Sequence, residues 1–309
     1  MGKIKRYSCG AVFSPPDSRD YKFASLGGAN AAVEPYQSIV PVGEVWNQLN
    51  SNQCGGCAGT YYRREREFMQ TGDDSRFSHT YIYGSDDFGG EGMFARNLAS
   101  ILRIGIPHMQ PWEAWNSKPQ AQMVVSSHSR ELAEECHLFR CNSYYFCMTW
   151  TEVLNAIRVC NGCVLMVACY DNWNTYNGVV GKNKGNLWGY HFVFAKDYVK
   201  KDNGAYRIRF VNSWGKEWGD NGCGYLDTDV NEFEEAFAIV DNVEEIKRML
   251  FKDVKTDRWS YDSIQKAAKK GVMTGFEDGT FRPEASLTRE QLAVVLDRAG
   301  FLDRLPDAE

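Results

Sequence analysis

Apolar positions in "MFARNLASILRIG", residues 93–105, recur three or four apart, with Phe94, Leu98, Ile101 and Leu102 on one face, and this spacing predicts an amphipathic helix. "CAGTYYRREREFMQ" (57–70) and "TWTEVLNAIRVC" (149–160) predict two more. After "NGCVLMVACY" the texture changes. "GYHFVFAKDYV", "GAYRIRFVNSW" and "GCGYLDTD" alternate or run apolar with β-branched and aromatic side chains, which predicts strands. A turn in "KKDNG", Lys200 to Gly204, folds the first two of these into a hairpin that sets His191 roughly opposite Asn212. Helices first and antiparallel strands later imply an α+β domain in two halves, and the cleft between such halves is a usual place for a site.

The ends of the chain read differently. Residues 1–32, including "FSPPDSRDYKFASLGGANAA", are rich in Ser, Pro, Gly and Ala and predict an extended arm, so the mixed domain is assigned to residues 33–243. Residues 244–309 form a small charged unit: a helix, a loop with a turn at Glu277 to Thr280, then a second helix. Ser286 and Thr288 open that helix, with Glu290 and Gln291 placed for a capping box.

Composition removes several function classes. Among 309 residues, 40 acidic against 35 basic side chains give a net charge of -5, with no Lys/Arg stripe interleaved with aromatics, so nucleic acid is not an expected partner. The longest apolar run, Val164 to Cys169, is too short to cross a bilayer, and "MGKIKRYSCG" lacks the apolar core of a secretory signal. Ten cysteines without such a signal fit a reducing compartment and free thiols. The expected location is cytoplasmic or phage-associated, with action at a cell wall.

Candidate chemistry centres on an imidazole beside a carboxamide. Such an amide orients the ring, and the ring can then share the proton of a cysteine thiol. The motif "NSWGKEWGDNGCGY" after His191, a Gln and Cys pair before a helix, and the glycine-rich "FGGEG" before a second helix resemble the papain-like cysteine peptidases over most of residues 33–243. The resemblance implies a two-lobed fold, a helical lobe against an antiparallel β lobe. It also implies peptide-bond hydrolysis without cofactor or metal, and no autoinhibitory pro-segment is evident, the arm being short for one.

Two cysteines compete for the role of nucleophile. The family's local cue nominates Cys57, but its members place a Gln six residues before the nucleophile to donate to the oxyanion, and Gln48 stands six before Cys54 while Ser51 stands six before Cys57. Gly55 and Gly56 argue the other way, since each costs a helix about 1 kcal/mol relative to Ala. The register favours Cys54 as nucleophile, with His191, Asn212 and Gln48 completing the site, Trp214 shielding the His–Asn bond, and Gly90, Glu91 and Gly92 meeting the substrate. Zinc binding by Cys136, His137, Cys141 and Cys147 is a lesser alternative.

The C-terminal unit resembles a single S-layer homology (SLH) module, with Trp259, Gly275, Asp278, Gly279, Phe281, Pro283, Thr288 and Arg289 at that family's characteristic positions. The resemblance implies binding of anionic secondary cell-wall polysaccharide, with Trp259 and Arg289 as glycan-contacting residues. A lone copy equally suits packing against the larger domain or assembly into a homo-oligomer. The expected function is thus a wall-associated or self-assembling cysteine peptidase acting on protein or peptide. The rival reading is a non-catalytic cell-wall or virion structural protein on the same fold.

Overall fold

The computed structural model describes residues 7–27, 33–110, 113, 117–174, 177–243, 246, 251, 253–255, 258–270, 272–276 and 280–304. Five helices precede most of the strands: α1 (Cys54–Thr71), α2 (His79–Ser85), α3 (Ala95–Ile104), α4 (Lys118–Ser127) and α5 (Ser129–Cys136). Phe94, expected inside the third of these, is instead the last residue of a short strand. Helix α6 (Trp150–Val159) starts where Thr149 accepts the Glu152 N–H as N-cap.

The sheet runs β2 (Met93–Phe94), β1 (Ala11–Val12), β5 (Leu187–Lys200), β4 (Cys163–Tyr170), β8 (Glu235–Val240), β3 (Ser143–Phe146). Strand β6 (Tyr206–Val211) pairs the far half of β5, and β7 (Cys223–Asp227) pairs β6. All of these pairings are antiparallel except β1 with β2.

β4 and β5 read as apolar runs because both of their faces are buried. Val164, Met166, Phe192 and Phe194 face a core built with α1 and α3, whereas Leu165, Val167, Val193 and Ala195 face a second core with α6, Trp173 and Trp214. A register shift between Ala195 and Asp197 turns Lys196 inward, where its ammonium pairs with Glu65 of α1 and donates to Ser38 Oγ (2.9 Å). These contacts hold α1 against the centre of the sheet.

The C-terminal unit is built on α7 (Tyr261–Lys269) and α8 (Arg289–Arg298). Thr288 and Gln291 form the expected capping box. The turn beginning at Glu277, with Asp278 and Gly279, lies outside the described residues. Phe251, Val254, Ile264 and Ala268 make a small core, with Tyr261 and Phe281 packed on it. Leu292, Val295 and Leu296 of α8 do not enter it: Leu292 is 46% exposed and the other two are half-buried. Tyr261 OH accepts from Arg158 of α6 (2.6 Å), tying this unit to the larger one.

Candidate active site

Cys54 is the first residue of α1, after Gln53 as N-cap. The glycines that disfavour a helix here have a tertiary reason: a Cβ on Gly56 would stand 2.7 Å from the His79 carbonyl, so α2 could not approach α1 as it does. Close helix packing outweighs the local propensity penalty. The Cys54 sulfur is within hydrogen-bonding reach of the backbone N–H groups of Phe192, Gly10 and Gly55, which places it beside the residue that follows His191. Cys57 lies one turn on and meets the Ser213 hydroxyl instead.

His191 and Asn212 come together as expected, although not by direct opposition. Val211 pairs with Phe194, and continuing that register Asn212 faces Val193 while His191 faces Trp214. The bond is therefore a diagonal reach, His191 Nε2 to Asn212 Oδ1 at 2.7 Å. The same oxygen accepts the Ser213 N–H (2.8 Å), which fixes the amide orientation. An amide oxygen only accepts, so Nε2 carries the proton, and Nδ1, buried without a hydrogen-bond partner, presents a lone pair. Trp214 stacks on the imidazole at 4.5 Å and 28° and covers the bond.

Burial decides the charge states. It pushes the Cys54 thiol up to about 12 against the pull of neighbouring N–H groups, and it drives His191 down to about 4 against the Asn212 bond. Both groups are thus held toward their neutral forms in this state, since desolvation exceeds what a helix N-terminus supplies to a thiolate.

The N-terminal arm contributes to that burial. Met93 N–H donates to the Gly10 carbonyl (2.8 Å), β1 adds to the sheet between β2 and β5, and Tyr7 stacks on Trp214 at 4.5 Å. Gln48 Nε2 donates to Ser51 O (2.8 Å) and to the carbonyl of Ser8 (3.1 Å), which also accepts from Trp214 Nε1 (3.3 Å). Gln48 Oε1 accepts from Ser213 Oγ (2.5 Å), so the amide is locked with one donor aimed at the arm. Phe23 and Leu26 then anchor the arm in the core. Sequence reading took the arm as too short for a pro-segment; the structure lays it through the cleft, because seven or so extended residues are enough to cross it.

In the glycine-rich loop, expected to meet the substrate, the Gly90 and Gly92 carbonyls accept from Lys118 Nζ (3.1 and 2.8 Å) and Glu91 Oε2 accepts from Tyr83 OH (2.8 Å), while the backbone bond to the arm is made by Met93 at the loop's end. Gly92, at φ +105°, brings the backbone against the arm, where a Cβ would stand 2.5 Å from Gly10 O. Lys118 is a residue that sequence reading missed. Its buried ammonium also pairs with Asp86 (2.6 Å) and donates to Phe88 O (2.8 Å).

The cysteines do not converge as a metal site. All ten are free thiols, Cys147 contacts Cys163, and among the described residues no group of three or more His, Cys, Asp or Glu is placed to hold a metal ion. Trp259 is 92% exposed and Arg289 is exposed at the start of α8.

Comparison with known proteins agrees with this architecture. Residues 250–293 match the family model of the S-layer homology domain. Over 57 residues the chain is 39% identical to outer membrane protein SlpA of Deinococcus radiodurans, covering 18% of this chain and only 5% of SlpA. Xylellain, a cysteine protease from Xylella fastidiosa, superposes with a TM-score of 0.64 at 17% identity, over 78% of this chain and 99% of xylellain. Procathepsin B S9 from Trypanosoma congolense gives 0.59 at 16% identity, over 76% and 87%. The chain has the papain-like cysteine-protease fold and carries an S-layer homology domain at residues 250–293.

Proposed function

We propose that the protein is a cysteine peptidase with Cys54 as nucleophile, His191 as proton acceptor and donor, Asn212 as its orienting partner and Gln48 in the oxyanion site. The observation that carries this reading is the His191–Asn212 bond, which leaves Nδ1 free for a thiol proton while the Cys54 sulfur lies beside Phe192. Once the arm leaves, water enters the cleft and the desolvation that keeps both groups neutral is relieved. The thiol proton then passes to His191 Nδ1, and the thiolate attacks a substrate carbonyl. The Gln48 donor vacated by Ser8, together with the Cys54 N–H, stabilises the tetrahedral oxyanion. His191 protonates the leaving amine, and water releases the acyl group.

The experiment is alkylation by an epoxide of the type that labels papain-like thiols, followed by peptide mass mapping. Label is expected on Cys54 and not Cys57. Cys54→Ala should abolish peptide cleavage, a loss of about three orders of magnitude or more, while Cys57→Ala keeps most of it. Label on Cys57 alone would overturn the assignment. The filled cleft is the observation that favours the rival, non-catalytic reading, and absence of label even after the arm is displaced would support it.

The SLH module is proposed to place or assemble the enzyme. Leu287 and Val294, 48% and 42% exposed, line a groove at the start and along one side of α8, an apolar face suited to a second copy; Leu292 of the same helix is 46% exposed, and Trp259 and Arg289 are open to an anionic glycan. A chain ending near Val243 should keep peptidase activity and lose self-association or binding to cell-wall polysaccharide. Light scattering and wall-pelleting of both lengths check this: the same mass and the same pelleting would refute the role.

A further inference from the structure

Three thiols meet where the arm crosses the sheet, and the proposed mechanism uses only one. Cys169 on β4 pairs with Gly189 on β5, and Gly189 has no side chain to fill the space on that side. Cys9 takes it: its Cβ stands 3.1 Å from where a Gly189 Cβ would be, and its thiol, which donates to the Tyr7 carbonyl (3.7 Å), lies near enough to interact with that of Cys169. Cys54 is near enough to feel Cys9 electrostatically, but its sulfur is engaged with backbone N–H groups. Cys9 is half-buried and Cys169 fully buried, and all three are reduced.

The contacts that hold the arm in the cleft flank Cys9 on both sides. Tyr7 stacks on Trp214, the Ser8 carbonyl accepts from Gln48 and Trp214, and the Gly10 carbonyl accepts from Met93. Each of these is reversible. A covalent bond at Cys9 would make the closure permanent until reduced.

We propose that Cys9 and Cys169 form a redox latch, closing as a disulfide when a small-molecule disulfide is abundant and opening when thiols are. The Cys9 thiolate attacks one sulfur of the small disulfide and expels a thiolate, giving a mixed disulfide on Cys9. Cys169 then loses its proton and attacks the Cys9 sulfur, expelling the second small thiol. Two protein thiols are oxidised by two electrons, and one small disulfide is reduced to two thiols. Cys9 reacts first because it is the accessible member; burial raises the Cys169 thiol and keeps it from the small disulfide, so Cys169 enters only the second, intramolecular step, which proximity to the Cys9 sulfur drives. The consequence for activity rests on the peptidase reading above; the disulfide itself does not.

The test separates the two. Cys54→Ala protein is equilibrated with oxidised glutathione and mapped without reduction. The expected product is the Cys9 peptide joined to the Cys169 peptide; Cys9 carrying only glutathione, or joined elsewhere, overturns the latch whether or not Cys54 is the nucleophile. In the wild-type chain, epoxide labelling of Cys54 scales with the open fraction, so oxidation should slow it about tenfold or more, and dithiothreitol should restore it. Cys169→Ser should label at its reduced rate under both conditions. Equal slowing in Cys169→Ser, or a mapped Cys9–Cys169 disulfide with unchanged labelling, would also overturn the latch.

Discussion

Replacing Gly10 by valine is expected to raise both the rate of Cys54 labelling and peptidase activity, by about tenfold to a hundredfold. The reason is steric. A Cβ at position 10 would stand 1.9 Å from the Asn52 carbonyl oxygen, a backbone atom that cannot rotate away. Crowding of this kind costs about 1–3 kcal/mol or more, and here the arm can avoid it by leaving the cleft. That energy moves the equilibrium between closed and open arm by the corresponding factor. Phe23 and Leu26, which anchor the arm in the core, are untouched, so global stability should hold. Departure of the arm also removes the bonds from Ser8 and Gly10 and lets water reach His191 and Cys54. The imidazole then no longer sits near 4, and titration should move toward its ordinary value. Labelling kinetics and imidazole titration by NMR check this. A Gly10→Val chain that labels no faster than wild type would show that the arm does not limit access.

Lys118→Met is expected to cost about 3–5 kcal/mol of stability, the range for removing one partner of a buried ion pair. The side chains of Lys118 and Asp86 are 4% and 0% exposed, and the ammonium also serves the carbonyls of Phe88, Gly90 and Gly92. Methionine fills much of the volume but leaves a buried carboxylate and three carbonyls without that donor. No cysteine occurs between Ala58 and Glu135, so no disulfide can tie this loop within that stretch, and the lysine cage holds it electrostatically. Asp86→Asn in the Lys118→Met background should recover part of the loss, because no uncompensated charge then remains, and the non-additivity reports the pair. Denaturant unfolding measures the energies. In the peptidase assay the single variant should raise KM, since the loop ends at the Met93 edge that holds an extended chain. Wild-type stability in Lys118→Met would remove the cage from this account.

The sequence by itself determined the family resemblance, the α+β organisation and the residues that converge. "NSWGKEWGDNGCGY", a histidine on a strand and a hairpin turn between them carry enough local information, because strand pairing and turn chemistry act over short separations. The capping box at Thr288 and Gln291 was legible for the same reason. Four things were decided only by tertiary structure. Gly55 and Gly56 looked like a defect in a helix until α2 came to lie against Gly56. The arm's path left no motif, because it is held mainly through its backbone, which every sequence shares. Lys118 could not be found for a similar reason, three of its four partners being carbonyls some thirty residues away. The protonation states of Cys54 and His191 follow from burial, a property of the assembled molecule that no spacing encodes, and it is large enough to reverse what the helix N-terminus alone would favour.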